Sequence, residues 1–163
     1  MFVKRSPVML IVSGLLFSAL ISQSAHAALT GFVVGVSDGD TLTVLDVAKR
    51  QHRIRLAGVD APERAQAFGT RSSQSLSELC YGKQAKVFDT TEDRYGRTVG
   101  TVICDGVDAN AAQVERGMAW VYRQYAPRNS PLYRLESRAR DERIGLWRDA
   151  KPVEPWLFRR ASR

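Results

Sequence analysis

The amino-acid sequence predicts an α+β fold, mainly β, in which five strands form a small barrel and three helices pack on it. Three observations lead to this prediction. Short runs with alternating apolar residues occur in two groups, one helical segment separates the groups, and two more helical segments follow them. Strands in the order three, helix, two, followed by helices, are typical of a five-stranded Greek-key barrel of the oligonucleotide-binding type.

The first group of strands is a predicted three-stranded meander. Asp-Gly and the polar stretch Lys49-Arg50-Gln51 interrupt its alternating pattern, and such residues favour turns. The predicted strands are Gly31 to Val36, Thr41 to Val47 and His52 to Ala57.

A first helix and two more strands follow. Pro62 ends the extended structure, and Phe68, Leu76 and Leu79 recur at helical spacing up to the break at Gly82. The remaining two strands are joined by a turn around Tyr95-Gly96 and are predicted at Lys83 to Thr90 and Arg97 to Cys104.

In the last part of the chain, the residue pattern predicts two helices and a tail. Asp108 and Gly117 bound a short helix from Asn110 to Arg116. Ser130 as the N-cap and Pro131 at the first helical position begin a third helix, which ends before Gly145. The final residues, 159–163, are rich in arginine and predict a loose basic tail.

Residues 1–27 have the pattern of an export signal. Lys4 and Arg5 precede an uncharged apolar run from Val8 to Ile21, and Ala25-His26-Ala27 fits a cleavage site for signal peptidase. Cleavage there leaves one domain at residues 28–163, located in the periplasm or secreted. The alternative is an uncleaved membrane anchor, although the run of 14 residues is shorter than the roughly 20 that a membrane span needs.

The charge of the chain predicts a polyanionic partner. The net charge is +7, and it falls to +5 without residues 1–27, because Lys4 and Arg5 are the only charged residues there. A basic domain of this kind suits nucleic acid, although an anionic membrane surface fits the charge equally well.

The two cysteines, Cys80 and Cys104, lie in the predicted mature domain. In an oxidising compartment the default expectation is a disulfide between them. Two buried free thiols are the alternative.

Four acidic residues form two candidate pairs. Asp38 and Asp40 flank a glycine, and Asp60 and Glu63 flank Pro62 at the end of the third predicted strand. Asp-Gly alone is an ordinary hairpin signal. If the meander brings the two pairs together, their charge requires a cation, and an all-oxygen ligand set selects a hard ion such as calcium or magnesium.

The histidine and arginine residues limit the kinds of active site that the chain can form. His52 is the only histidine outside residues 1–27, which excludes a multi-histidine zinc site and a histidine-activated nucleophile. Arg55 and Arg97 carry planar guanidinium groups that suit bidentate contact with phosphate oxygens. Each could instead be an ordinary strand or turn residue, so their significance lies in the combination with the acidic residues.

Three segments of the chain carry a family resemblance: Val36-Ser37-Asp38-Gly39-Asp40-Thr41, Ile54 to Glu63 and Asp93-Arg94-Tyr95-Gly96-Arg97. They resemble the signature segments of the staphylococcal-type nucleases, or thermonucleases, in the order and at the spacing of that family. The similarity extends through Gly117 to Tyr122 and Gly145 to Trp147 and thus covers nearly all of residues 28–163.

The resemblance implies roles for particular residues. Asp40, Asp60 and the backbone carbonyl of Ala61 would bind Ca²⁺, and Glu63 would act as the general base on a water molecule. The catalytic set would be completed by Arg55 and Arg97, which would hold the scissile phosphate.

The resemblance also implies substrate contacts. Arg94 and Tyr95 match the region that holds a terminal phosphate, with ordinary turn residues as the alternative. The positions from which the family presents tyrosines to the nucleotide are occupied here by Arg123 and Tyr125.

The implied function is an exported, calcium-dependent, sugar-nonspecific nuclease. It would hydrolyse single-stranded or frayed DNA and RNA to products with 3′-phosphate ends, as a monomer without a stable protein partner. The alternative is a noncatalytic nucleic-acid-binding module on the same barrel. A pure binding module has no use for Asp40, Asp60 and Glu63, which would repel the phosphate backbone.

Overall fold

The computed structural model describes residues 28–162, so the predicted signal segment, residues 1–27, lies outside the described residues. Within this range the chain forms eight strands and four α-helices. The strands are β1 Leu29–Val36, β2 Thr41–Asp46, β3 Gln51–Leu56, β4 Val59–Asp60, β5 Gln84–Glu92, β6 Thr98–Cys104, β7 Val107–Asp108 and β8 Trp120–Val121. The helices are α1 Gly69–Cys80, α2 Ala109–Glu115, α3 Leu132–Asp141 and α4 Pro155–Ala161, with a 3₁₀ turn at Gly145–Arg148.

Five strands close into a barrel. Antiparallel pairing gives the order β3-β2-β1-β5-β6, and β3 then pairs with β6 in parallel, which joins the two ends of the sheet. The short β7 extends β6, and β4 pairs separately with β8. The predicted mainly β fold with a five-stranded barrel of the oligonucleotide-binding type is confirmed.

The barrel closes because alternate residues of its strands are apolar and point inward. Leu42 and Val44 on β2 and Ile54 on β3 are fully buried, and Leu76 of α1 packs in the same core. Removing apolar surface from water is the main stabilising contribution to such a core. A disulfide joins Cys80 at the end of α1 to Cys104 at the end of β6, with 5.2 Å between the Cα atoms.

The helix count differs from the prediction of three. The first three predicted helices are present with small differences at their ends: α3, for example, begins one residue after Pro131. The prediction of a loose basic tail is wrong, since residues 155–161 form α4. In the described residues, 28–162, the helices are too short or too polar to cross a bilayer.

The C-terminal helix is ordered by contacts that the basic composition of the segment does not show. Pro155 occupies its first turn and is buried. The ring of Trp156 stacks on that of Tyr122, with 5.3 Å between the centroids and 4° between the planes. Trp156 also meets the edge of Trp120 at 6.0 Å. These aromatic contacts hold α4 against the strand pair that contains Asp60.

Candidate active site

The turn between β1 and β2 is fixed by buried contacts with two helices. The backbone N–H of Asp40 donates to Oδ1 of Asp38 at 3.0 Å, which closes a tight turn. Nε2 of the buried Gln113 on α2 donates to the carbonyl of Gly39 at 2.7 Å. A Cβ atom at Gly39 would lie 1.8 Å from Oγ of Ser72 on α1, so only glycine fits there. Close packing therefore sets the position of Asp40.

Arg55 connects the carboxylates of Asp40 and Asp60. The register of β2 and β3 pairs Thr41 with Arg55, which places the arginine beside Asp40. The Arg55 guanidinium contacts Oδ2 of Asp40 at 2.6 Å through Nη1 and Oδ1 of Asp60 at 2.9 Å through Nη2. The backbone N–H of Ala61 donates to Oδ2 of Asp40 at 2.9 Å. Four of the residues predicted from the sequence thus lie in contact with one another.

Burial and neighbouring charge change the pKa values of this group. Burial acts to raise the pKa of Asp40, but the Arg55 guanidinium outweighs it and holds that pKa below its usual range. Burial raises the pKa of Asp60, and the Asp40 charge adds to that rise, despite the hydrogen bond from Arg159. Burial and the Asp40 carboxylate raise the pKa of Asp38 to about 6. These shifts show a site in which several carboxylates compete for compensating positive charge.

Glu63 is linked to Asp60 by Arg159, an arginine for which the sequence analysis predicted no role. Nη1 of Arg159, on α4, contacts Oε1 of Glu63 at 2.6 Å, and Nη2 contacts Oδ2 of Asp60 at 2.7 Å. Residues 28–162 contain no set of three acidic, histidine or cysteine side chains grouped closely enough to share a metal ion. This differs from the expectation of acidic groups meeting around one ion, because guanidinium groups lie between the carboxylates.

The second predicted arginine, Arg97, directly precedes the neighbouring strand β6. The parallel register pairs Val99 of β6 with Arg55, so Arg97 lies two residues before the strand partner of Arg55. Nη2 and Nε of Arg97 contact Oδ2 of Asp93 at 2.7 and 2.8 Å. Asp93 orients this guanidinium at the edge of the site.

The predicted substrate residues lie in two different surroundings. Arg94 and Tyr95 are exposed in the β5–β6 turn, where Nη2 of Arg94 donates to the Tyr95 hydroxyl at 2.6 Å. Tyr125 is 67% exposed, and its ring meets the edge of Tyr122 at 4.9 Å. Arg123 instead pairs with Glu136 at 3.2 Å. All four side chains are thus exposed to solvent, and Arg123 already has an anionic partner.

Sequence reasoning missed the two residues that complete the site. Gln113 supports the turn from inside the core, and one polar residue in a short helix gives no signal of such a role. Arg159 was assigned to a tail. The pattern Glu154-Pro155-Trp156 before it, with proline at a helix start followed by an aromatic residue, is the signal that could have identified α4.

The donor groups suit a hard cation. Asp40, Asp60 and the neighbouring Ala61 offer only carboxylate and carbonyl oxygens, which calcium and magnesium prefer. The carboxylates come from separate parts of the chain and are held in place by Arg55 and by the Ala61 N–H, with guanidinium groups between them. The residues present therefore fit a divalent ion in chemical type, and the two arginines fit a phosphate.

The closed barrel places this chain in the class of oligonucleotide-binding-type barrels. The buried carboxylates and arginines on one side of it are the residue types that phosphodiester chemistry needs. The family model described as staphylococcal nuclease homologue matches residues 53–149. The chain therefore belongs to the staphylococcal nuclease family, which confirms the resemblance seen in the sequence, and its function is that of a nuclease acting on nucleic acid.

Individual relatives agree with this assignment. The chain is 42% identical to a micrococcal nuclease of Shigella flexneri over 154 residues, which cover 88% of each protein. It is 39% identical to an uncharacterized endonuclease of Haemophilus influenzae, over 94% of this chain and 86% of the relative. A staphylococcal-like nuclease of Arabidopsis thaliana is 38% identical over 72% of this chain and 36% of its own length.

Proposed function

We propose that the protein is an exported, calcium-dependent, sugar-nonspecific nuclease that hydrolyses DNA and RNA to products with 3′-phosphate ends. One observation carries the proposal: the Arg55 guanidinium joins two buried carboxylates, Asp40 and Asp60, and Asp60 shares a second guanidinium with Glu63. These residues supply the carboxylate oxygens for a cation, the proton acceptor and the guanidinium for a phosphate that the proposal requires.

Each residue has a chemical role in this proposal. Asp40, Asp60 and the Ala61 carbonyl hold Ca²⁺, which supplies positive charge to the scissile phosphate when bound. Glu63 accepts a proton from the water whose oxygen attacks phosphorus. The bond from phosphorus to the 5′ oxygen breaks, that oxygen takes a proton from solvent, and the phosphate stays on the 3′ side.

The two arginines stabilise the transition state. The extra negative charge of the five-coordinate phosphorus develops on its non-bridging oxygens, and a guanidinium fork can donate two hydrogen bonds to them. Arg55 is largely buried and Arg97 half-buried, so both act where water screens charge weakly. Their present carboxylate partners, Asp40, Asp60 and Asp93, keep them oriented before substrate binds.

The substrate surface in this proposal accepts single-stranded or frayed nucleic acid. Arg94 and Tyr95 contact a terminal phosphate, and the exposed Tyr125 ring stacks on a base. Arg123 adds positive charge at the rim through its exposed side chain. Contacts to backbone and base faces explain a lack of sequence preference, and the protein acts as a monomer.

The test is cleavage of single-stranded DNA and RNA by purified protein, with and without calcium, followed by analysis of product ends. We expect calcium-dependent cleavage and 3′-phosphate ends. Glu63→Gln should lower kcat about a hundredfold or more with little change in substrate binding. Glu115→Gln, an exposed substitution on α2, is the matched control. Products with 5′-phosphate ends, or cleavage in excess EGTA, would contradict the proposal.

Export has its own test. Cell fractionation and N-terminal sequencing should find the protein outside the cytoplasm with a mature terminus near Ala28. A full-length protein in the membrane fraction would instead support the anchor.

A further inference from the structure

Arg159 contacts two carboxylates of the candidate site, Asp60 and Glu63. Its Nη2 contacts Oδ2 of Asp60 at 2.7 Å, and its Nη1 contacts Oε1 of Glu63 at 2.6 Å and Oδ1 of Asp60 at 3.3 Å. Arg55 already contacts Oδ1 of Asp60 from the other side. The two guanidiniums together contact both oxygens of Asp60, and one of them also contacts the proposed general base.

The position of Arg159 is not a chance surface contact. The helix that carries it, α4, is fixed by the stack of Trp156 on Tyr122. Trp156 also contacts Trp120, which pairs with Asp60 in the β4–β8 ladder. A second anchor is the hydrogen bond from Nε2 of Gln66 to the carbonyl of Val153, just before α4. The same local framework therefore positions Asp60 and the arginine that neutralises it.

The two partners differ in their freedom to move. The Asp60 side chain is 2% exposed, whereas the Arg159 side chain is 37% exposed and the Glu63 side chain 40% exposed. Arg159 can turn outward into solvent without opening the core, but Asp60 cannot leave its position. A divalent ion that needs the oxygens of Asp60 must therefore displace the arginine.

We infer that Arg159 is an internal competitor of the divalent cation: it holds Asp60 and Glu63 when calcium is scarce and releases them when calcium binds. The inference rests on the proposed calcium dependence. Lone pairs of Asp60 and Glu63 that accept hydrogen bonds from a guanidinium are not free for an ion or an attacking water. The C-terminal helix thus raises the calcium concentration at which the nuclease becomes active.

The test is calcium binding by isothermal titration calorimetry, with no nucleic acid present. Arg159→Gln removes the competitor, and Arg160→Gln removes the same charge from the next, exposed position of α4. We expect Arg159→Gln to bind calcium about fivefold more tightly than the parent; that factor corresponds to about 1 kcal/mol, the upper end of the range for ion pairs at the protein surface. Arg160→Gln should match the parent.

A second variant and a second measurement separate competition from other roles. Arg159→Lys keeps the charge but cannot contact both carboxylates in a fork, and we expect it to bind calcium more tightly than the parent too. Cleavage by Arg159→Gln should exceed that of the parent at limiting calcium and equal it at saturating calcium. A loss of cleavage at saturating calcium would make Arg159 a substrate-binding residue and overturn the inference.

The outcomes distinguish this inference from the proposed function. If the parent binds calcium and cleaves nucleic acid, but Arg159→Gln binds calcium no more tightly than Arg160→Gln, the competition is refuted and the nuclease proposal stands. If the parent neither binds calcium nor requires it for cleavage, the proposed calcium dependence fails and the inference fails with it.

Discussion

Replacing Gly39 by alanine should disrupt the site from inside the core. The added Cβ atom would lie 1.8 Å from Oγ of Ser72 and 2.7 Å from Cβ of Ala61, both inside van der Waals contact. The turn cannot easily move away, because Gln113 holds the Gly39 carbonyl at 2.7 Å and Asp38 accepts the Asp40 N–H at 3.0 Å. Relaxation of the turn or of the segment after β4 therefore displaces Asp40 or Ala61, two of the proposed calcium ligands, and any remaining relaxation moves Ser72 in α1.

The expected effect has a thermodynamic and a kinetic part. Overpacking of this kind lowers the free energy of unfolding by about 1–3 kcal/mol, which corresponds to a fall in the unfolding temperature of about 3–12 °C for a domain of this size. Calcium-dependent cleavage should fall further than stability explains, since a shift of about 1 Å in positioning can lower the rate by about a hundredfold.

Thermal unfolding and initial rates of DNA cleavage at saturating calcium measure the two parts. Gly35→Ala is the matched control, because its nearest contact, with Cβ of Thr43, would be an ordinary 3.8 Å. Replacing Ser72 by glycine in the Gly39→Ala background removes the closest clash and should restore part of the stability. A Gly39→Ala protein as stable and active as Gly35→Ala would refute the reasoning.

Three further predictions concern other parts of the molecule. Arg97→Lys keeps the charge but loses the guanidinium fork, so kcat should fall about tenfold or more at saturating calcium; an unchanged kcat would remove Arg97 from the transition state. Replacing both Cys80 and Cys104 by serine opens a crosslink with a sequence separation of 24, and urea unfolding should show a loss of about 3 kcal/mol. The His52 hydrogen bond, with others from Arg50, lowers the pKa of Asp46. The ionised Asp46 carboxylate therefore contributes its full stabilisation at pH values above the unfolded-state pKa of about 3.9. This contribution is lost as the pH falls toward the lower pKa of Asp46 in the folded protein. Asp46→Asn should accordingly be less stable than the parent at pH 7, with a smaller difference at pH 3, and a constant difference would contradict this.

The barrel could be predicted from the sequence because local patterns determine its strands. The alternation through Thr41 to Asp46 and Gln51 to Leu56 places one set of side chains in the core, and the turns between them contain glycine or polar residues. The short pair β4–β8 has two residues in each strand, too few for any alternation to show.

The candidate site was predictable only in part, for a physical reason. The membership of Asp40, Arg55 and Asp60 in the site could be predicted, because each lies in a motif within the strand or turn that positions it. Arg159 lies 99 positions after Asp60, and its contact depends on the stack of Trp156 on Tyr122. Neither that separation nor that stack has a signature in the local composition, so the contact of Arg159 with Asp60 could not be predicted, although Glu154-Pro155-Trp156 indicates the start of α4.

The parallel pairing of β3 with β6 has a consequence for how activity arises during folding. A nascent chain can form the local hairpins early, but Arg55 is brought beside β6, the strand that Arg97 precedes, only when strands distant in sequence meet. A chain in which β3 and β6 have not paired therefore has not brought together the two arginines that are proposed to bind the phosphate. Regain of cleavage during refolding therefore reports formation of the whole tertiary structure, with no contribution from chains that have made only their nearest-neighbour hairpins.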